Sequence, residues 1–322
     1  MKVLVTGASG MLGRVTADLF RSQGHQVRTF QRRPSGLAGV EDCLGSVTDP
    51  AAVRRAVQDR DAVVHLAAKV SFAGAAADFE AINVEGTRML LSAARTAGVK
   101  DFVFVSSPSV AHVGQALVGQ GATTATPDLV RGHYAQTKAR AELLSLDANS
   151  RDFRVAAVRP HIVWGPGDTQ LVERVIERAR AGRLPFLDGG TALVDTTYVD
   201  NAAAALVAAV HRIDRVAGQA VVVTNGEPRP IGELIAGICR AGGVQLPRWA
   251  VPSRVARVAG SLVELVWQRG GLESEPPMTR FLAEQLSTAH WFDQRRTRGL
   301  LAWTPAVSID DGLARLARHY QG

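Results

Sequence analysis

The sequence predicts an α/β protein, a doubly wound parallel sheet with a smaller C-terminal domain. Three observations predict it. Short β-branched runs alternate with helical patterns through the first half, the signature of βαβ units. A glycine-spaced turn joins the first run to the first helical pattern. The chain has 322 residues, 46% of them apolar, enough to bury a large core in one domain or in two that share a cleft.

The elements follow in order. Residues 2–5 form a strand, 12–23 a helix and 25–30 a second strand. A helix at 51–58 precedes a strand at 62–66. A helix over about 79–97 leads to the strand 102–105. The stretch 114–132 is polar and rich in glycine and threonine, so it reads as a mobile loop. The helix carrying Tyr134 and Lys138 comes next, then a strand at 154–158. The second half is less regular: helices at 172–181 and 201–211, a strand at 220–223, the turn "NGEPRP" and a helix at 231–241. Pro247 and Pro252 bound a linker before the amphipathic "SRVARVAGSLVELVWQ".

"VLVTGASGMLG" places Gly7, Gly10 and Gly13 between the first strand and the first helix. The first glycine allows a tight turn, the second a close approach to a pyrophosphate, and the third close helix–strand packing. Met11 and Leu12 open the helix, whose free N–H groups suit phosphates. The turn predicts a Rossmann-type nucleotide site. The second strand ends "RTFQRRP". A free ribose 2′-hydroxyl would favour an acid near Gln31. Arg32 and Arg33 follow Gln31 instead, and guanidinium groups fit a 2′-phosphate. The expected cofactor is therefore NADP(H). Further on, "CLGSVTDP" has Ser46 where an acid facing the adenine is common in such folds.

The chain has only three tyrosines, and only four of its 37 basic residues are lysines. Tyr134 and Lys138 nonetheless stand one helical turn apart, so both project from one helix face. A lysine where arginine is the default cation points to a need for a compact, rotatable ammonium.

With this pair, the glycine loop, "DAVVHLAA" (61–68), "NVEGT" (83–87), "FVFVSSPSV" (102–110), "VRPHIVWGPGD" (158–168) and "VDTTYVDNAA" (194–203) resemble the extended short-chain dehydrogenase/reductase family. The resemblance covers nearly the whole chain and is strongest to the 3β-hydroxysteroid dehydrogenase-like branch. "SSPSV", "RPHIVWGPGD" and "LVDTTYVDNAA" are similar to the bacterial olefin-biosynthesis reductases of 2-alkyl-3-oxoalkanoic acids.

The resemblance implies roles. Tyr134 would give a proton to a carbonyl oxygen as hydride arrives from NADPH. An unperturbed phenol titrates near 10, and the resemblance implies that Lys138 lowers that value and holds the nicotinamide ribose. Ser107 would hydrogen-bond the substrate oxygen, with Ser106 and Ser109 as rivals. Ala67, Ala68, Lys69, Ser106, Pro160 and Ile162 would line the cofactor. Asn83 either orders the helix facing the cofactor or merely caps it; His161 reads as structural, and His133 points elsewhere. The dinucleotide-binding domain would comprise 1–162, with 194–223 returning to it. Residues 163–193 and 224–322 would form the substrate domain. There, Trp164, Leu171, Phe186, Trp249, Trp267 and Phe281 are candidates for an apolar cleft. An arginine or Lys69 would meet a substrate carboxylate.

The expected activity is NADPH-dependent reduction of the 3-oxo group of a lipid-like substrate, a 2-alkyl-3-oxoalkanoic acid in the first instance. The alternatives are a hydroxysteroid or other alcohol dehydrogenase, a nucleotide-sugar epimerase or dehydratase, and a non-catalytic dinucleotide sensor. The net charge of +7 is scattered along helices rather than gathered in one block, which argues against nucleic acid. No apolar run reaches the ~18 residues of a membrane span. The start "MKVLV" has no signal-peptide character, and Cys43 and Cys239 show no metal-ligand spacing. Together these predict a cytoplasmic protein without a metal. The partner expectations are a small lipid-like molecule, a peripheral membrane or partner-enzyme contact through 253–268, and a homodimer.

Overall fold

The computed structural model describes residues 1–71, 74–270 and 280–321, and the side chains of 264–270 and 280–282 lie outside that description. Trp267 and Phe281 are therefore not among the described side chains.

Seven strands form the main sheet: β1 Lys2–Thr6, β2 Gln26–Gln31, β3 Glu41–Leu44, β4 Ala62–His65, β5 Asp101–Val105, β6 Arg154–Pro160 and β7 Ala220–Val223. Their spatial order is 3-2-1-4-5-6-7, with every neighbouring pair parallel. The winding reverses between β1 and β4. Open α/β sheets bind ligands outside the carboxyl ends of the strands at such a switch point.

The helices are α1 Met11–Ser22, α2 Pro50–Val57, α3 Gly86–Thr96, α4 His133–Asp147, α5 Val172–Arg180 and α6 Val199–His211. They continue with α7 Ile231–Ala241, α8 Ser253–Gly270, α9 Arg280–Ser287, α10 Arg295–Leu301 and α11 Ile309–Gln321. Successive residues of β1 face opposite layers. Val3 and Val5 meet Ala17 and Phe20 of α1 and Leu206 and Val210 of α6. Leu4 meets Val53 of α2, Leu90 of α3 and Ala141 of α4. A third core, around Trp164, Ile176, Leu234, Ile238 and Leu316, belongs to the smaller lobe. Among the described residues no helix is long and apolar enough to cross a membrane.

Three readings need correction. β3 was not expected; it is an edge strand with exposed acidic residues, so it carries no apolar signal. The stretch 114–132 is not all loop, since Leu117–Gln120 pairs in parallel with His290–Phe292 in a four-stranded sheet of the smaller lobe. The helix expected over 79–97 is three pieces: a turn at Ala76–Phe79, a π-helical turn at Glu80–Glu85, and α3.

Gly13 sets how closely α1 approaches the sheet. A Cβ there would lie 2.4 Å from the Gly7 carbonyl oxygen, which is backbone and cannot swing aside. Gly13→Ala should therefore cost about 1–3 kcal/mol of stability, the usual penalty of overpacking. Urea denaturation checks this; an unchanged midpoint would show that α1 has room to retreat.

Candidate active site

The first βα turn fits a dinucleotide. Gly7 has φ +75°, and a Cβ on it would come within 2.9 Å of the Ala67 nitrogen. Only glycine lets β1 and the end of β4 meet there. Gly10 differs, because a Cβ would meet nothing closer than 3.5 Å. Protein packing does not demand glycine at that point, whereas backbone approach to a pyrophosphate does. Arg32 and Arg33 lie exposed just beyond β2, with no hydrogen bond or ion pair to the described residues. Gln31 is buried, and its Nε2 donates to Asp42 Oδ1 (2.9 Å) and Thr29 Oγ1 (3.0 Å).

Asp42 was missed because β3 was missed. It also accepts from Thr29 Oγ1 (2.5 Å) and from the Ser35 N–H (3.2 Å). Partial burial pushes its carboxyl up, but the donors from Thr29, Ser35 and Gln31 together hold it below the usual carboxylate range. The acid at this corner is thus engaged by the protein itself. Ser46 meets Thr48 (2.8 Å) and contributes no charge.

Behind the loop runs a buried chain of hydrogen bonds. Thr6 Oγ1 accepts from the N–H groups of Leu66 (3.1 Å) and Ala67 (3.0 Å) and lies 2.8 Å from His65 Nδ1. His65 Nε2 lies 3.0 Å from Thr87 Oγ1, and Thr87 donates to the Asn83 carbonyl at 2.7 Å. The Asn83 side chain clamps Lys69, accepting its N–H at 2.7 Å and donating to its carbonyl at 3.2 Å. Asn83 Nδ2 also donates to Thr137 Oγ1 at 3.0 Å. Asn83 lies inside the π turn, so it is no cap: it joins the loop of Ala67, Ala68 and Lys69 to α4.

Tyr134 and Lys138 flank Thr137 on α4. Tyr134 is half-buried beside Ser107. Burial pushes its phenol up to about 12, with the Ser107 hydroxyl pulling the other way. Lys138 is fully enclosed and donates to the Val105 carbonyl at 2.6 Å, with its ammonium 4.0 Å from the centre of the Phe104 ring. Burial pushes it down to about 7, opposed by Glu142. The expected lowering of the tyrosine by the lysine is therefore not what this geometry does: burial prevails, and the phenol keeps its proton.

Among the rival serines, Ser107 is the one at Tyr134. Its Oγ accepts from the Ser109 N–H (3.3 Å) and hydroxyl (3.0 Å). Ser106 Oγ is buried and has no hydrogen-bond partner among the described residues. Pro160 ends β6, and Ile162 follows with φ +41°, a conformation a β-branched residue rarely holds. Strain of this kind gathers at functional sites.

Other expected residues behave differently. Lys69 forms an ion pair with Asp78 at 2.6 Å and lies 5.0 Å from the Phe79 ring centre, so its charge is already countered. Trp164 does not line a cleft; it is core, donating to Thr196 Oγ1 at 2.9 Å. Leu171 and Phe186 are half-buried against the lobe's core, and Trp249 is exposed. His161 donates from Nδ1 to the Asp195 carbonyl at 2.6 Å, and its imidazole is pushed down to about 4 by burial. His133 is exposed beside Phe79.

Sequence reasoning also missed two buried groupings. Arg159 Nε and Nη2 grip Glu142 of α4 at 2.8 and 2.5 Å, and Nη1 donates to the Thr123 carbonyl at 2.8 Å. His112 and His161 each meet His290 edge to face where the segment after Ser107 meets the smaller lobe, and the His112 and His290 Nε2 atoms lie 3.1 Å apart. A cleft of about 420 Å³ lined by Asp195, Trp291 and Arg298 contains none of Ser107, Tyr134 and Lys138.

A glycine-cradled switch point with a tyrosine and a lysine on the adjoining helix defines a dinucleotide-dependent short-chain dehydrogenase/reductase of the extended kind. Comparison with known proteins agrees: the NAD-dependent epimerase/dehydratase family matches residues 3–224, and the chain belongs to it. It is 40% identical to the 2-alkyl-3-oxoalkanoate reductase of Stenotrophomonas maltophilia, over 98% of both chains. The enzyme of the same name from Shewanella oneidensis is 32% identical, over 97% of this chain and 84% of that one. A 3-beta-hydroxysteroid dehydrogenase of Mycolicibacterium neoaurum is 29% identical, over 99% and 91%. Among solved structures, a short-chain dehydrogenase/reductase superfamily protein from Agrobacterium tumefaciens with bound NAD superposes with a TM-score of 0.75 at 23% identity, covering 100% and 97% of the two chains.

His65 makes the network pH-sensitive. Burial first, then the Lys138 charge, pushes its imidazole down to about 3. The unfolded chain titrates near 6.5, so below that pH it takes up a proton that the folded protein refuses, and stability falls as pH drops toward 3. At pH 5 this one group should cost about 2 kcal/mol relative to pH 8. Urea midpoints between pH 8 and 5 should show a shallower slope for His65→Gln than for wild type. Parallel slopes would mean that His65 is not the titrating group.

Proposed function

We propose that the protein is an NADPH-dependent reductase that converts the 3-oxo group of a 2-alkyl-3-oxoalkanoic acid, or a closely related lipid-like acid, to the 3-hydroxyl. The observation that carries this reading is the Tyr134 phenol beside Ser107, on a helix whose next turn holds a buried lysine. The full-length similarity to 2-alkyl-3-oxoalkanoate reductases supports the substrate class.

When bound, the nicotinamide supplies a hydride to the carbonyl carbon. The chain's own residues handle the oxygen. Ser109 gives both its N–H and its O–H to Ser107 Oγ, so the Ser107 proton is directed away from Ser109, to the side of Tyr134 where a substrate oxygen would take it. A phenol that titrates far above neutrality arrives protonated and can pass that proton to the oxygen as negative charge develops there. Lys138, one turn further along α4, would hold the nicotinamide ribose, as the family resemblance implies. The chemistry balances as carbonyl plus hydride plus proton to alcohol. Arg159 and Glu142 act through α4 and hold its register against β6. The smaller lobe supplies the substrate side.

Tyr134→Phe should abolish NADPH oxidation while cofactor binding persists, because only the proton donor is lost. Against a panel of 2-alkyl-3-oxoacids, kcat/KM should rise about fourfold per added methylene until the cleft is full, at about 0.8 kcal/mol each. A flat response, or a steroid ketone turned over far better than any acid, would move the substrate to the hydroxysteroid class. Full activity in Tyr134→Phe would end the mechanism.

The cofactor preference rests on Arg32 and Arg33, which are free, while the nearby Asp42 is engaged by Thr29, Gln31 and Ser35. Replacing both arginines with alanine should weaken NADPH binding roughly ten- to a hundredfold more than NADH binding, the value of charge-assisted contacts of ~1.5–3 kcal/mol. Equal losses for the two cofactors would remove the 2′-phosphate assignment.

A further inference from the structure

Helix α8 packs in an unusual sense. Its small residues Ser253, Ala256 and Gly260 are buried. Among its described side chains, three large apolar residues point outward: Val255, Val258 and Leu262 are 57%, 64% and 59% exposed. Spaced by three and four, they form one stripe. Arg254 borders the stripe on one side and Ala259 on the other, both exposed. Leu246 and Trp249, just before the helix, are also exposed. Five of the fourteen exposed large apolar residues described in this chain thus fall within residues 246–262.

The same stretch carries no negative charge. Residues 234–263 contain no aspartate or glutamate and four arginines, Arg240, Arg248, Arg254 and Arg257. Arg257 is held by the Ser253 hydroxyl at 3.0 Å, whereas Arg248 and Arg254 are exposed and have no ion-pair partner among the described residues. A concentrated apolar stripe on a soluble face marks an interaction site.

We propose that this face docks on an anionic phospholipid bilayer, with α8 lying in the interfacial plane. Three features favour lipid over protein. The apolar residues form a narrow helical stripe rather than a broad flat patch, as in-plane helices do. A tryptophan stands at its edge, where aromatic rings favour the headgroup level. The flanking charge is mainly basic, with Asp188 at the start of α8 an acid beside Arg254 and Arg257, and it matches an anionic leaflet. A symmetric contact with a second copy would bring the arginines of both copies together. The surface lies on the smaller lobe and stands whether or not the oxoacid reading holds. If both hold, the enzyme meets its greasy substrate at the membrane.

Co-sedimentation of the full chain with vesicles tests this. The protein should pellet with phosphatidylcholine vesicles containing about 30% phosphatidylglycerol and several-fold less with phosphatidylcholine alone. Raising salt from about 50 to about 500 mM should release most of it. Val255→Ser/Val258→Ser/Leu262→Ser should cut binding about tenfold, with melting temperature and cofactor affinity unchanged. Arg248→Glu/Arg254→Glu should do the same while leaving the stripe intact, which guards against a misfolded triple variant. Failure of the wild type to pellet with anionic vesicles would overturn the proposal. So would either variant pelleting as well as the wild type. A wild-type dimer in light scattering that the triple variant turns into a monomer would assign the face to self-association instead.

Discussion

The structure depends most on one buried chain of hydrogen bonds, from Thr6 through His65, Thr87 and Asn83 to Thr137. Its proton order is forced. Thr6 Oγ1 already accepts two N–H groups, so its own proton goes to His65 Nδ1. His65 must then carry its proton on Nε2 and donate to Thr87, whose hydroxyl turns to the Asn83 carbonyl. In a buried chain a lost partner leaves a group unpaired, at about 1–3 kcal/mol. The chain therefore has one arrangement, and β1, the loop after β4, the π turn and α4 share it. The glycine turn and the Tyr134 helix keep a common frame because of it.

The π turn is part of this device. A regular helix through Glu80–Glu85 would present Asn83 at a different angle. π turns recur at functional sites because the extra residue re-aims a side chain. Here the re-aimed Asn83 bonds Lys69 on one side and Thr137 on the other. The Arg159–Glu142 pair performs a similar task from below, tying α4 to β6 and to the Thr123 segment of the smaller lobe. Buried pairs of this kind contribute little net stability, but removing either partner strands the other charge.

The candidate chemistry lies on top of this frame and is tuned by burial rather than by pairing. Enclosure raises the Tyr134 phenol and lowers the Lys138 ammonium, so two groups with similar ordinary values are driven apart. A phenol raised in this way suits the proton-donor role that the proposed reduction gives Tyr134. Ile162 holds its left-handed backbone because its neighbours are fixed: the His161 N–H reaches the Val223 carbonyl, and the Ile162 carbonyl takes the Thr197 N–H.

The sequence by itself determined what depends on local pattern. The apolar runs of β1, β4 and β5, the glycine turn, and the tyrosine–lysine spacing are each legible within a dozen residues, because strand period, helix period and turn sterics act over that range. Only tertiary structure decided what depends on partners far away in the chain. Leu117–Gln120 becomes a strand because His290–Phe292 lies beside it. Asp42 matters because β3 carries it back to Gln31. Lys69 loses its free charge to Asp78, and Trp164 goes to the core rather than to a cleft. The face that α8 shows to solvent was open too. An amphipathic pattern says that one side is apolar, but packing against the rest of the lobe chose the small residues for the inside. The physical reason is the same in each case: period and spacing are properties of a segment, whereas burial, pairing and pKa are properties of what the fold brings against it.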